Sequence, residues 1–379
     1  MRKKLTALAL IAAMLLTGCG WMDGEYVSVV PHQESADDGP TGSVSAANYG
    51  ELTDVLEELV LSASESCVID VTRFDQKVVE SNMIAACRYI RQVFPMGAYA
   101  VESITYEVGV SQGRPAIAVS IAYRRSKTEI QRIRKKADME SLAAAVHTSL
   151  DDHASRLTVL VSRYEETDFD QLVQDYVREN PQKVMEIPQV SEGIYGEGES
   201  RVVELSFTYQ NSRETLRQMQ SQVKPVFEAA ALYVSGAGSD RQKLSQLYGF
   251  LMERFDYTVE TSITPSYSLL CHGVGDSRTF AEVYAAMCRR AGLECMVVTG
   301  TRAGEPWTWN IVSEGGVFYH VDLLRSSDEG GFREYTDAEM TGYVWDYSTY
   351  PACLGAPQLP EPARTEPAES AEETGEPQE

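Results

Sequence analysis

The chain has 379 residues and a formal net charge of -23, with 56 acidic residues against 33 Lys and Arg. At about 100–200 residues per domain, this length predicts two or three domains. Hydrophobic residues make up 43% of the chain, which is enough to form buried cores. The acidic balance argues against a nucleic-acid binder, because phosphates require clustered Lys and Arg. Only one long apolar run occurs, so a membrane protein with several spans is excluded.

The N-terminus has the pattern of an export signal. A basic head, Met1 to Lys4, precedes an apolar run from Leu5 to Leu16 that is short for a membrane span. The run ends in Leu16-Thr-Gly-Cys19, which resembles the lipobox of bacterial lipoproteins. This resemblance implies removal of residues 1–18, a diacylglycerol on the Cys19 thiol, and a lipid anchor on the extracytoplasmic face of the cell membrane. The alternative is an ordinary signal peptide with an incidental cysteine.

Two further segments are predicted to be unstructured. Residues 19–47 contain clusters of Pro, Gly, Ser and Asp and are interpreted as a flexible tether. Residues 355–379 are rich in Pro and Glu and are interpreted as a disordered acidic tail.

An internal duplication is predicted in the middle of the chain. The stretch from Ser120 to Ile130 matches the stretch from Ser206 to Leu216, with Ser, Tyr and Ser at the same spacing. Residues 72–75 similarly match 162–165, and the helix-like stretch 52–60 matches 142–150. Three matches in the same order predict two α/β units, at 48–136 and 138–224. Two copies are too few for a solenoid, so we expect a tandem pair of small domains.

The order of elements within each unit follows from hydrophobic periodicity. It predicts a helix, a strand, a second helix, two strands and a third helix. In unit 1, Pro95 should end the second helix, and residues near Gly113 should form the turn of a hairpin. Ser126-Lys-Thr-Glu129 has the capping-box pattern for the third helix. Neither unit contains a cluster of reactive side chains, so a scaffold or binding role is the default for this half.

A different pattern begins near residue 235. After an amphipathic helix, the chain runs Cys271-His272-Gly-Val-Gly-Asp-Ser277-Arg-Thr-Phe-Ala into a second helix that ends at Gly292. Strand-like segments follow at 295–298, at Trp307-Thr-Trp-Asn-Ile-Val and at 317–322.

This arrangement resembles the bacterial transglutaminase-like superfamily over residues 225–354. The resemblance implies a papain-like fold, in which a helix N-terminus carries a catalytic Cys and two successive strands carry His and Asp. The fold class predicted for the whole chain is therefore α+β, with tandem duplicated α/β units followed by a transglutaminase-like (papain-like) domain.

The three catalytic positions depart from this family pattern. Counting back from Gly292 places Ser277 at the nucleophile position, and Trp309-Asn-Ile-Val fixes Trp307 at the base position; only Asp322 keeps the family residue type. A serine hydroxyl needs a base to remove its proton, and the indole of Trp307 has an N–H donor but no lone pair. Both changes act against catalysis.

Several residues could still supply a rewired site. His320 lies two residues before Asp322, so both side chains point to the same side of a strand, and His320 could approach Ser277. Cys271 and His272 form a second candidate, on a loop before the Ser277 helix. We favour structural roles instead: a buried histidine at 320, and a helix N-cap at Ser277, shared with Asp276. Asp322 would then pair with a nearby Arg or contact water.

The remaining cysteines and aromatic residues have more than one interpretation. Six cysteines besides Cys19 show no metal or redox spacing, and we favour buried free thiols over disulfides; they are Cys67, Cys87, Cys271, Cys288, Cys295 and Cys353. The aromatic run from Tyr343 to Tyr350 could bind sugar or peptide from the cell wall, but core packing is the commoner use. No cofactor and no metal are expected.

Two functions follow from these observations. The first is a membrane-anchored lipoprotein with a non-catalytic transglutaminase-like domain that binds a cell-envelope protein or a peptidoglycan-type ligand. The second is a Ser-dependent hydrolase or acyltransferase that uses His320 or His272 as its base. A general base within about 3.5 Å of the Ser277 hydroxyl, in an open cleft, would favour the enzyme. A purely structural spacer is a third possibility.

Overall fold

The computed structural model describes residues 44–355. The signal, Cys19 and almost all of the predicted tether and tail therefore lie outside the described residues. Unit 1 consists of β1 (Val44–Ser45), α1 (Tyr49–Ser62), β2 (Ser66–Asp70), α2 (Val79–Gln92), α3 (Pro95–Ala100), β3 (Val101–Ser111), β4 (Arg114–Tyr123) and α4 (Lys127–Arg132).

Unit 2 repeats this order except for the short helix. It consists of β5 (Arg134–Lys136), α5 (Met139–Asp151), β6 (Arg156–Val161), α6 (Phe169–Glu179), β7 (Gln189–Tyr195), β8 (Arg201–Thr208) and α7 (Arg213–Tyr233). The sheet orders are β1-β2-β4-β3 and β5-β6-β8-β7, with the same parallel and antiparallel pairings in the same places.

The strand registers of the two units also agree. Ser66 pairs with Ser120 in unit 1, as Arg156 pairs with Ser206 in unit 2. Because a slip of one residue would turn every side chain to the other face, this agreement places equivalent residues on equivalent faces. The two units are copies of one fold, with the sequence match between residues 120 and 206 preserved in three dimensions.

The predicted starts of both units need correction. β1 lies inside the stretch assigned to the tether, and β5 lies inside the stretch assigned to unit 1. Each is a strand of two or three residues that pairs in parallel with the first long strand of its unit. Strands this short have no readable alternation, which is why periodicity missed them.

Local chemistry explains the ends of several elements. Ser126 and Glu129 form the predicted capping box of α4. α2 ends at Gln92, and Pro95 then opens α3 as its first residue, a position where proline loses no hydrogen bond. The β3–β4 turn falls on Gln112 and Gly113, both with positive φ, which suits a tight hairpin turn.

The third part of the chain is the region that was predicted to be transglutaminase-like. Its elements are α8 (Asp240–Met252), β9 (Thr258–Val259), α9 (Pro265–His272), β10 (Val274–Gly275), α10 (Ser277–Arg290), β11 (Cys295–Arg302), β12 (Glu305–Glu314), β13 (Val317–Val321), α11 (Leu323–Asp328), a 3₁₀ turn (Asp337–Glu339) and β14 (Tyr343–Val344). The predicted boundary at residues 224 and 225 falls inside α7, whose Val223 and Phe227 pack in the same core as α10.

The main sheet of this region has the order β13-β12-β11-β14 and separates two cores. On one face, Val312 and Val321 pack with α8, α9 and α10. On the other face, Trp309 and Ile311 pack with the segment around Trp345. Alternate residues of β12 therefore serve different cores, as the two-residue period of a strand requires. The mixed α/β architecture confirms the predicted fold class.

Two general features of the described residues complete the fold. All six cysteines from Cys67 to Cys353 are free thiols, and three of them are buried. Within residues 44–355, no helix is both long enough and apolar enough to cross a membrane.

Candidate functional site

The N-terminus of α10 carries the residue at the nucleophile position. Asp276 is the N-cap: its carboxylate accepts the Thr279 backbone N–H at 2.8 Å and the Thr279 hydroxyl at 2.7 Å. Ser277 is therefore the first helical residue, and the predicted capping role belongs to Asp276 alone. The negative charge of this cap also interacts favourably with the positive end of the helix dipole. The Ser277 hydroxyl accepts the Thr308 backbone N–H at 3.3 Å.

The residue at the base position contacts the residue at the acid position. The indole Nε1–H of Trp307 donates to Oδ2 of Asp322 at 2.8 Å. Trp307 lies on β12 next to Thr308, whose backbone reaches Ser277, so the three predicted positions come together at one end of the sheet. The indole uses its only polar hydrogen in this bond and has no acceptor to offer.

Asp322 is 2% exposed, and all its lone-pair directions are used. Its Oδ1 accepts the backbone N–H groups of Leu324 and Arg325, each at 3.1 Å, and so caps α11. Its Oδ2 accepts the Tyr343 hydroxyl at 2.6 Å in addition to the Trp307 indole. Burial, followed by the charge of Asp322, raises the pKa of the Tyr343 hydroxyl, which stays a proton donor. Asp322 is thus the centre of a saturated network.

Arg302 supplies the positive charge that this buried carboxylate needs. Its guanidinium lies 3.8 Å from Oδ2 of Asp322 and stacks over the rings of Trp307 at 5.1 Å and Tyr343 at 5.6 Å. The predicted pairing of Asp322 with an arginine is therefore what the structure shows. The cation–π contacts hold the two aromatic donors against the carboxylate.

The gap between Ser277 and Asp322 is narrow. It is lined by Phe280, Thr308 and Leu324 and has no room for a water-sized sphere. Ser277 is half-buried, and the gap beside its hydroxyl is too small to enclose an acyl group.

His320 cannot serve as the missing base in this arrangement. Its Nδ1 accepts the Trp309 indole N–H at 2.9 Å, so its proton must sit on Nε2, which bonds Oδ1 of Asp337 at 2.8 Å. Burial lowers the pKa of His320, against a smaller raising effect of Asp337, so the ring is neutral. It is fully buried beside Trp345, with no lone pair left for Ser277. The favoured structural role of His320 agrees with this geometry.

The same histidine belongs to a cluster that resembles a metal site. Ligand atoms of His320, Asp337 and Cys353 all lie within 4.8 Å of one another. A metal on Nε2 of His320 would require a proton on Nδ1, and a histidine ligand normally donates that proton to an acceptor. Here Nδ1 faces the indole donor of Trp309 instead. Burial raises the pKa of the Cys353 thiol to about 12, which also disfavours a thiolate ligand. These residues do not fit a metal ion.

The second candidate, Cys271 with His272, is not a loop as predicted. Both residues belong to the last turn of α9, which ends at Gly273 in the left-handed conformation. Burial raises the pKa of the Cys271 thiol, which packs against the main core, whereas His272 is exposed. Neighbouring residues of a helix point about 100° apart, so the pair forms no nucleophile–base contact.

The aromatic run divides between core and surface. Tyr343 and Trp345 are each 7% exposed and pack in the core around Trp309, as expected. Tyr347 is 63% exposed, and its ring lies 4.3 Å from that of Trp345. Three of the four aromatic rings of the run, those of Tyr343, Trp345 and Tyr350, therefore pack on this core.

The sequence alone did not predict that Tyr343 and Trp309 act as hydrogen-bond donors to Asp322 and His320. A buried Asp and a buried His each require donors, and both donors are aromatic residues that hydrophobic patterning counts only as core. The signal available in the sequence was the polar group of each residue, because a buried Tyr hydroxyl or Trp N–H almost always has a hydrogen-bond partner.

Comparison with known proteins agrees with the fold of this region. Residues 228–345 match the family model of the transglutaminase-like superfamily. The chain therefore carries a transglutaminase-like domain. No curated protein matches the chain.

Two solved structures share similarity with it. One is described as a TGase, with 11% identity, a TM-score of 0.24, and coverage of 57% of this chain and 63% of the other. The second is described as a candidate protease from Parabacteroides distasonis, with 10% identity, a TM-score of 0.22, and coverage of 44% and 40%. The chain spans less than two thirds of either structure, and neither similarity adds to the family match.

Glu334 and Glu314 form an acidic pair at the end of β12, and this pair predicts that the protein becomes less stable at alkaline pH. Glu334, whose side chain is 4% exposed, lies 2.9 Å from Arg241. Burial, followed by a hydrogen bond to Glu314, raises its pKa from 4.5 to about 8. A raised pKa adds stability below the ordinary pKa, and this is lost as pH rises through the folded pKa. We expect the free energy of unfolding to fall by on the order of 2 kcal/mol between about pH 5 and about pH 9.

Urea unfolding at several pH values measures this loss. Glu334→Gln should remove most of the alkaline decline. Glu339→Gln is the matched control, because bonds to Thr336 lower the pKa of Glu339 and its removal should leave the decline in place. A decline of equal size in Glu334→Gln would contradict the prediction.

Proposed function

We propose that the transglutaminase-like domain is non-catalytic and serves a binding or scaffolding role at the cell envelope. The observation that carries this proposal is the hydrogen bond from Trp307 to Asp322, because it joins the base and acid positions through an indole that cannot accept a proton. The narrow gap beside Ser277 and the satisfied lone pairs of Asp322 support it further. The residues of a hydrolytic centre are replaced by a packed donor network.

Activity-based labelling of Ser277 tests this proposal. The purified full chain would be incubated with a fluorophosphonate and with an activated acyl ester, and adducts would be mapped by peptide mass spectrometry. We expect no adduct at Ser277 above that of an exposed serine such as Ser221. A Ser277 adduct that disappears in Ser277→Ala would establish the alternative, a Ser-dependent hydrolase or acyltransferase, and overturn the proposal.

We also propose that the mature protein is held at the membrane through Cys19. The support is the Leu16 to Cys19 pattern directly after the apolar run. The net charge of -23 is compatible with an extracytoplasmic protein that binds polypeptide or peptidoglycan-type ligands rather than nucleic acid.

Replacing Cys19 should release the protein from the membrane. In Cys19→Ala, labelling by a clickable fatty acid should vanish, and the protein should remain unprocessed or move to the soluble fraction. Cys67→Ala, which leaves the signal intact, is the control and should label normally. Normal fatty-acid labelling of Cys19→Ala would show that the lipobox assignment is wrong.

A further inference from the structure

Unit 1 covers one face of the unit 2 sheet. Val202 on β8 is fully buried within the core of unit 1. The rings of Tyr99, on α3, and Tyr195, on β7, meet edge to face at 5.3 Å. At Gly196, with φ +94°, an added Cβ would come within 2.7 Å of Pro95, so the approach requires glycine. This is a close-packed interface.

A cation accompanies the aromatic residue at that interface. The Arg125 guanidinium lies 4.7 Å from the centre of the Tyr99 ring and 2.7 Å from the Glu204 carboxylate on β8. The interface thus places one aromatic ring and one positive charge of unit 1 against an apolar face of the unit 2 sheet that carries one acidic residue.

The equivalent face of unit 1 is largely uncovered among the described residues: Glu107, Gly109 and Ala118 are exposed, and Ala116 is buried. Because the registers agree, Ala116, Gly109 and Ala118 stand where unit 2 has Val202, Tyr195 and Glu204. Val68, on the same face, is 52% exposed, and a Cβ added to Gly109 would meet nothing within 4 Å.

On this face the acidic residue lies on β3, at the position that pairs with the equivalent of Glu204. Glu107 on β3 pairs in register with Ala118, as Gly193 pairs with Glu204 in unit 2. Glu107 is exposed and makes no ion pair within residues 44–355. The charge of the covered face is therefore kept, while the large side chains around it are reduced to Ala and Gly.

We propose that this open face, formed by Val68, Glu107, Gly109 and Ala118, binds a short segment of another polypeptide that presents an aromatic ring beside a cation. The space left by the absent tyrosine admits the ring, and Glu107 pairs with the charge. The covered face of unit 2 is the template for both contacts. The proposal does not depend on whether Ser277 is catalytic, since no residue of that centre contributes.

A second copy of this chain does not fit the open face. Its own Tyr99 is 2% exposed and its Arg125 is engaged with Glu204, so neither is available in trans. Two open faces packed on each other would bring the Glu107 carboxylates together, and like charges in a partly desolvated contact repel.

Site-specific photo-crosslinking of the full chain in its native cells tests the proposal. The photoreactive residue p-benzoylphenylalanine would replace Val68, and Ile84 would be the matched control, because it is 53% exposed on the opposite, helical side of unit 1. We expect an adduct from position 68 that is about tenfold stronger than from position 84, mapped to a segment with an aromatic residue and a Lys or Arg within one helical turn. Glu107→Lys should reduce the yield about tenfold.

Each other outcome overturns the proposal. These are equal yields from positions 68 and 84, an adduct with a second copy of the chain, a mapped segment without the aromatic residue and the cation, and a yield that Glu107→Lys leaves unchanged. Unaltered thermal unfolding of Glu107→Lys would show that a lost adduct reflects the surface and not the fold.

Discussion

Asp322→Ala is expected to lower the free energy of unfolding by about 3 kcal/mol or more, because it breaks a buried charge network from its centre. The substitution leaves four donors without their acceptor: the Trp307 indole, the Tyr343 hydroxyl and two backbone N–H groups at the start of α11. Arg302 also loses its carboxylate and remains next to two aromatic rings.

Denaturant unfolding of the full chain measures this effect. Asp322→Asn should be intermediate, since the amide keeps one acceptor for the helix cap but turns its NH₂ toward the Trp307 and Tyr343 donors. Asp346→Ala is the matched control: Asp346 also caps its own turn, through Ser348 and Thr349, but is fully exposed. Equal shifts in the midpoint for Asp322→Ala and Asp346→Ala would contradict a central role of Asp322.

Joint restoration of the family residues at 277 and 307 should create a reactive thiol. Ser277→Cys alone places a thiol at the start of α10 beside an indole, without an imidazole to take its proton, so its reactivity should be low. In Ser277→Cys/Trp307→His, the imidazole can donate to Oδ2 of Asp322, which already accepts the indole N–H from that position. The other ring nitrogen can then take the thiol proton.

Iodoacetamide kinetics at about pH 7 should show alkylation at position 277 at least tenfold faster in the double variant than in Ser277→Cys. Ser277→Cys/Trp307→Phe is the control for the loss of indole bulk, because phenylalanine opens the space without supplying a base. Peptide mapping separates position 277 from the half-buried thiols of Cys67, Cys87 and Cys271. If the Phe control reacts as fast as the His variant, access and not base chemistry limits the thiol.

The parts of the fold that were predictable from the sequence are those that depend on local spacing or on a repeated pattern. The capping box at Ser126 and the match of residue 120 with residue 206 both survive in the structure, because each depends on local spacing. β1 and β5 could not be found in this way, since their existence depends on a partner strand far along the chain.

The candidate site was likewise predictable from the sequence only in part. Register alone brought Ser277, Trp307 and Asp322 together, because fixed strands and a fixed helix end place those positions. The tautomer of His320 could not be inferred, since it depends on an indole contributed by the neighbouring strand and a carboxylate from a distant turn. The sequence left His320 as a possible base, and only the directions of its two hydrogen bonds exclude that role.

The length of one helix decides whether the third region can be handled alone. In unit 1 the last helix, α4, stops at Arg132 and gives way to the next unit. Its counterpart α7 begins with the same serine cap but continues through Pro225 to Tyr233, and its second half fills the core behind α10. A fragment that starts at residue 225 would begin in mid-helix, without the cap at Ser212. Expression of the C-terminal region by itself therefore requires a start before Ser212, so that the fragment keeps the whole of α7 and its cap.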